Sequence, residues 1–168
     1  IGAVVTHPVI SGGVVFVGVE QGGIHAYAAG SCGTPADGYS AFYPSSRAVR
    51  EGLTVVPDTL YLLEDRLVIA MSLDGALWVD AAGTTPSPWN APFAAESLIT
   101  TAPVLAEDVL YLGTQDGIVH AIDAVDGAPL WQFNAGAAVR GETIVAPGAV
   151  FVTTADGEII AIAQEQAQ

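Results

Sequence analysis

Three histidines and a scatter of acids are the residues whose types and spacing suit chemistry. His25 and His120 close two similar runs, Gly23-Ile-His25-Ala and Gly117-Ile-Val-His120-Ala. Imidazoles at like places on a shared face are what a zinc site uses, but such a site needs at least a third protein ligand. Trp78 and Ile160 stand near the like places further along, so the strand-histidine reading is preferred. Asp116, Asp123 and Asp126 would offer the oxygens that calcium takes. The same residues beside glycines also cap turns with their carboxylates, and that reading is taken here. The pairs Glu64-Asp65 and Glu107-Asp108 read as solvated turns. His7, His25 and His120 all lie in or beside strand-like runs, so no Ser-His-Asp arrangement can be drawn, and no glycine loop leads into a helix. Cys32 is the single cysteine, which excludes an intrachain disulfide and a cysteine zinc site. The expectation is therefore no catalytic, no cofactor-binding and no metal-ligating residue.

Composition narrows the class further. Hydrophobic residues make up 51% of 168, enough to bury a core, and 19 Gly with 10 Pro imply many turns. Four arginines face 18 acids, and the net charge of −14 argues against a phosphate-binding surface and a polybasic membrane patch. No apolar run approaches the ~18 residues of a membrane-spanning helix. The chain opens on Ile1 with no signal-like segment, and further sequence is expected upstream.

The elements that would position these side chains come from sliding the sequence along itself. Val109-Leu-Tyr-Leu-Gly113, then Asp116-Gly117, then Ile118 to Ala121 is matched by Val14 to Gly18 with Gln21-Gly22, and by Ala149 to Thr153 with Asp156-Gly157. A looser copy runs from Arg66 through Asp74-Gly75 to Trp78. Each copy reads as a β-hairpin with its turn at the Gly-bearing pair, because glycine accepts the positive φ such turns demand. A short strand is expected upstream of each hairpin, at Pro8–Ile10, Thr59–Leu63, Pro103–Leu105 and Thr143–Val145, and a fourth strand follows Asp126-Gly127. Four short antiparallel strands make one propeller blade. The turn aspartates recur at intervals of 42 and 40 residues, after a first interval of 53 whose excess falls in Ala29–Gly52. The expected blades are 1–43, 44–93, 94–133 and 134–163, with a tail at 164–168, all one all-β domain.

The stretch Asp116-Gly-Ile-Val-His-Ala-Ile-Asp-Ala-Val-Asp-Gly127-Ala-Pro-Leu-Trp131 resembles the PQQ-like repeat, a strand and D-G followed by A-L-D-A, T-G and Trp. Thr101-Ala-Pro-Val-Leu and Thr6-His-Pro-Val-Ile resemble its opening strand. The resemblance implies that Trp89 and Trp131 dock one blade on the next, beside turns bearing Gly83 and Gly127. Phe42 or Tyr43 would fill that place in the first blade. It also implies a ring of seven or eight blades, of which four would be a part completed by upstream sequence or another chain; a self-contained four-bladed ring is the alternative. Functionally it implies a non-catalytic scaffold or protein-binding module, like BamB-type assembly lipoproteins and propeller sensor domains. The setting would be the periplasm or the cell exterior, in a membrane-associated complex. The alternative is a fragment of a PQQ-dependent quinoprotein oxidoreductase, but no Cys pair and no Asp and Asn cluster matches that family's ligand set. Candidate partner contacts are Phe42, Tyr43, Arg47 and Arg50, aromatic and basic side chains in the loop that most exceeds the repeat.

Overall fold

The computed structural model describes residues 3–20, 23–30, 43–44, 49–73 and 87–163, with backbone alone at 43, 44, 50 and 51. Regular structure there is entirely β. Four antiparallel meanders follow one another along the chain. Blade one holds β1 (Val9–Ser11), β2 (Val14–Gly18), β3 (Gly23–Ala28) and β4 (Tyr43–Pro44). Blade two holds β5 (Val49–Val56), β6 (Thr59–Glu64), β7 (Leu67–Ser72) and β8 (Phe93–Ala94). Blade three holds β9 (Val104–Ala106), β10 (Val109–Gly113), β11 (Ile118–Asp123) and β12 (Pro129–Asn134). Blade four holds β13 (Val139–Ala146), β14 (Ala149–Thr154) and β15 (Ile159–Ala163). Four strands were expected in this last sheet; three are present among the described residues, which stop at Ala163.

The central strands carry apolar residues at consecutive positions because both faces of the sheet are covered. In blade three, Leu110, Leu112 and Ile122 point one way and pack with Tyr61, Leu63 and Trp89 of blade two. Tyr111, Val119 and Ala121 point the other way and pack with Val139, Val150 and Val152 of blade four. Blade one meets blade two through Phe16 and Ile24, which pack with Leu60, Leu62 and Met71. Each fully buried Leu, Ile or Phe here contributes about 1.5–3 kcal/mol. Three core clusters thus weld three consecutive junctions, and among the described residues none joins blade four to blade one. The described residues form an arc of propeller blades.

The hairpin turns of blades three and four fall at the Gly-bearing pairs, with Gly117 at φ 89° and Gly157 at φ 91°. Thr114 donates to the Asp116 carboxylate at 2.6 Å, and Thr154 does the same to Asp156. Blade two departs from the expected reading. β7 pairs with β6 across a tight turn at Asp65-Arg66, where Asp65 takes φ 57°. Thr59–Leu63 is therefore the second strand of its blade, and Val49–Val56 supplies the first. The hairpin expected at Asp74-Gly75 is displaced by one strand, and those two residues lie outside the described set. The error has a physical source: an Asp-Gly pair marks both the second turn (Asp116-Gly117) and the third (Asp126-Gly127) of a unit. In the corrected register Phe16, Tyr61, Tyr111 and Phe151 are equivalent, at intervals of 45, 50 and 40 residues.

The β9–β10 connection is a two-residue turn in which Glu107 (φ 50°) and Asp108 (φ 62°) both sit in the left-handed region. That geometry suits Asn-Gly and strains other residues by about 1 kcal/mol each. Replacing Glu107-Asp108 by Asn-Gly is expected to stabilise the protein by about 1 kcal/mol or more, read as a raised thermal midpoint. An unchanged or lowered midpoint would refute the assignment.

Candidate functional site

The most constructed contact in the molecule joins blades two and three. Trp89 is 4% exposed, and its indole N–H donates to the Ala124 carbonyl at 3.0 Å. The Tyr61 hydroxyl donates to the same carbonyl at 2.9 Å, and the two rings lie tilted with centroids 5.7 Å apart. The indole rests on Gly127, where a Cβ would fall 2.7 Å from Trp89 Cδ2. Gly127 also has φ 80°, so glycine is required there twice over. Asp123 and Asp126 shape this turn by accepting the backbone N–H of Val125 and of Ala128. Gly83, the other glycine assigned a docking role, lies outside the described residues.

The next junction repeats the arrangement in part. Tyr111 and Trp131 lie tilted at 5.8 Å, as Tyr61 and Trp89 do. Trp131, expected to be largely buried at a blade interface, is half-buried and packs against the cluster shared by blades three and four. In blade three the indole's cover comes from the turn beyond β11; the matching stretch beyond β15 starts at Gln164, outside the described residues.

The histidines and acids are distributed rather than gathered. His25 on β3 stacks on Tyr27 at 6.0 Å. His120 on β11 meets Phe93 of blade two edge-on at 5.4 Å, so it belongs to the blade junction. Ile69 and Ile160 hold the equivalent positions in blades two and four; the corrected register puts Ile69 there and not Trp78. Asp116 sits at the opposite end of β11 from Asp123, roughly 20 Å away for such a strand, so the three aspartates do not form one site. Among the described residues no group of three His, Cys, Asp or Glu side chains is placed to hold a metal.

Burial pushes the His120 imidazole below its usual pKa, against a smaller upward pull from Asp116 and Glu96. A folded-state pKa below the unfolded one, about 6.5, means that the unfolded chain takes up the proton more readily. The stability tied to neutral His120 is present above pH ~6.5 and is lost as pH falls from there toward the depressed value. The His120→Gln variant should lose less stability than the parent between pH 7 and pH 5. Parallel pH–midpoint curves for the two proteins would contradict this.

Phe42 and Arg47 lie outside the described residues, and the side chains of Tyr43 and Arg50 are likewise not described. Their backbone positions still say something. Tyr43 pairs with Ile24 as Phe93 pairs with Val68 and Phe133 with Val119, so it takes the place of those phenylalanines and not of a docking tryptophan. Arg50 follows Val49 as Arg140 follows Val139, at the start of the first strand in blades two and four. Arg140 lines a cleft of about 370 Å³ that spans three blades. Leu63 and Asp65 of blade two and Leu98, Thr100 and Gln115 of blade three complete its wall. The cleft floor is tied across blades, with Thr100 donating to the Val139 carbonyl at 2.6 Å and Ile99 N–H donating to the Asp65 carbonyl at 3.0 Å. Leu98 is 48% exposed at its mouth. The repeated Val-Arg pair marks the strand start on which Arg140 sits, but no signal in the sequence marks the cleft itself.

Residues 64–168, more than half of the chain, match the family model described as outer membrane protein assembly factor BamB. The chain belongs to this BamB, PQQ-like propeller family. Its first blade and half of its second lie before the matched segment but repeat the same meander. No curated protein sequence matches the chain. Among solved structures, BamB from Moraxella catarrhalis is similar at 15% identity with a TM-score of 0.74, over 96% of this chain and 47% of that one. The computationally designed Ika8 protein matches at 17% identity and 0.72, over 95% and 46%. The computationally designed Ika4 protein matches at 16% identity and 0.73, over 96% and 91%. At these identities the likeness establishes the fold. The BamB-family chain described here spans about half the length of BamB and of Ika8, and nearly all that of Ika4.

Proposed function

We propose that the chain is a non-catalytic, protein-binding segment of a propeller that works outside the cytoplasm as an accessory part of a membrane-associated complex. The cleft around Arg140 carries the reading. It sets a basic side chain and an exposed leucine together on a wall built from three rigid blades, in a chain of net charge −14. An apolar anchor flanked by one positive and one negative group is what a protein loop recognises, and rigid flanking strands hold such a surface ready. Membership of a family described by outer membrane assembly supports the setting.

The test is site-specific photocrosslinking in the native host, with the probe at Leu98 and, as a control, at the exposed outer residue Val125. An adduct to one membrane-fraction protein from position 98, lost in Arg140→Glu, is the expected result. Equal labelling from both positions would discard the cleft as the contact. Dye-linked alcohol oxidation above background, after addition of PQQ and calcium, would overturn the non-catalytic reading.

A further inference from the structure

A groove of about 500 Å³ opens at the junction of blades two and three, at the other end of β6 from the Arg140 cleft. The cleft meets β6 at Leu63 and Asp65; the groove meets it at Asp58 and Thr59, roughly 20 Å back along the strand. Its floor is Tyr61 and Ala124, both buried and joined by a hydrogen bond. Leu105 forms a half-buried wall, and Pro88 and Val125 are exposed along the rim. Both flanking blades bring a carboxylate to it. Two-residue turns join the first and second strands of all four blades: Gly12-Gly13, Pro57-Asp58, Glu107-Asp108 and Pro147-Gly148. The second residues of these turns are equivalent. Blades one and four carry glycine there, at φ 77° and 80°, the residue that such a backbone favours. Blades two and three, the two that flank the groove, carry aspartate. Asp108 sits at φ 62°, where glycine would be less strained, so the turn itself does not call for that carboxylate. Asp58 and Asp108 are both exposed, and among the described residues neither carboxylate is in an ion pair or a hydrogen bond.

We propose that this groove seats a basic segment of a partner protein, with an arginine or lysine head held by Asp58 and Asp108 and its apolar neighbours on Leu105 and Val125. Two carboxylates beside an apolar wall suit a side chain with an apolar stem and a charged head. Burial, and after it the Asp108 carboxylate, raises the Tyr61 phenol above its usual pKa, so the field of Asp108 reaches the floor that the stem would cover. The net charge of −14 draws a basic partner in and turns an acidic one away. The exposed apolar rim favours a peptide over a bare organic cation, because neighbouring side chains cover the rim and a thin polyamine does not. This contact is separate from the Arg140 cleft, and either reading can fail alone.

Amide NMR titration of the chain tests the proposal, with an acetylated pentapeptide amide of alternating leucine and arginine as the probe. Shifts are expected at Asp58, Leu105, Asp108 and Val125, and not at Leu98, Thr100 or Gln115 of the Arg140 cleft. The same peptide with citrulline for arginine keeps the shape without the charge and should not bind. Asp58→Asn with Asp108→Asn should weaken binding about tenfold. Glu142→Gln with Glu158→Gln removes the same charge from exposed positions of blade four and should leave the affinity nearly unchanged. Asp108→Gly gives blade three the turn residue of blades one and four. It should hold or raise the thermal midpoint and still weaken binding, so a loss of fold cannot account for the effect. In the host, a crosslink from Val125 that persists in Arg140→Glu, while that from Leu98 is lost, would belong to this groove and leave the cleft reading standing. Equal weakening by the two charge-removing pairs would overturn the proposal, since attraction to net charge would then explain the binding. Undiminished binding by Asp108→Gly would overturn it too, as would shifts centred away from the groove, or spermidine binding as tightly as the peptide with the same dependence on Asp58 and Asp108.

Discussion

Trp89→Ala is expected to lower unfolding free energy by about 3–5 kcal/mol, the range for removing a large buried aromatic. The loss has two parts. The indole fills the space over Gly127, and no neighbouring side chain can collapse into it without moving the turn that Asp123 and Asp126 hold in place. The indole N–H and the Tyr61 hydroxyl also share one acceptor, the carbonyl of the buried Ala124. A carbonyl has two lone pairs, and either donor alone keeps it satisfied. Tyr61→Phe should therefore cost about 1 kcal/mol. Trp89→Phe with Tyr61→Phe should exceed the sum of the single variants by about 1 kcal/mol, because only the pair leaves the carbonyl buried without a donor. Urea midpoints of the four proteins read this coupling. A Trp89→Ala midpoint equal to the parent's, or strict additivity in the cycle, would show that the junction is held by something else.

How much of this could be read in advance depended on what each residue answers to. The strands of blades three and four, and their turns at Asp116-Gly117 and Asp156-Gly157, follow from local chemistry: apolar runs of strand length broken by a residue that tolerates positive φ. The register of blade two is hidden because its hairpin turns at Asp65-Arg66 without a glycine, while the stronger turn signal, Asp74-Gly75, lies one strand further on. The aromatic at Phe16, Tyr61, Tyr111 and Phe151 was the better guide, since it answers to the blade junction and not to the turn. A docking role for Trp89 followed from the repeat, but its acceptor Ala124, and Tyr61 as a second donor, depend on packing between blades. The cleft at Arg140 was missed for the same reason: its wall draws residues from three blades, and no window of sequence contains them.

Gly113→Ala should show the same dependence between blades with the opposite sign of side-chain change. Gly113 closes β10 outside the left-handed region, so an alanine there meets no backbone strain. In a strand, replacing glycine by alanine would by itself stabilise by about 0.5–1 kcal/mol. Contact decides otherwise. The added Cβ would fall 2.4 Å from Val139 Cγ1 and 2.5 Å from Val139 Cβ, at the first residue of blade four. Turning the valine side chain moves Cγ1 but not Cβ, so relief requires the strand to shift, and the net cost should be about 1–3 kcal/mol. Gly18→Ala is the internal comparison. Its added Cβ meets side-chain methyls, Thr6 Cγ2 at 2.7 Å and Val49 Cγ1 at 2.9 Å, which can yield further. It should cost less. The decisive measurement is a cycle with Val139→Gly, which removes the Cβ that blocks the alanine. Gly113→Ala should be much less destabilising in that background than in the parent. Equal penalties in both would mean that Val139 does not press on Gly113. Blade four would then be seated by its other contacts, with Tyr111, Val119 and Ala121 on the face below it.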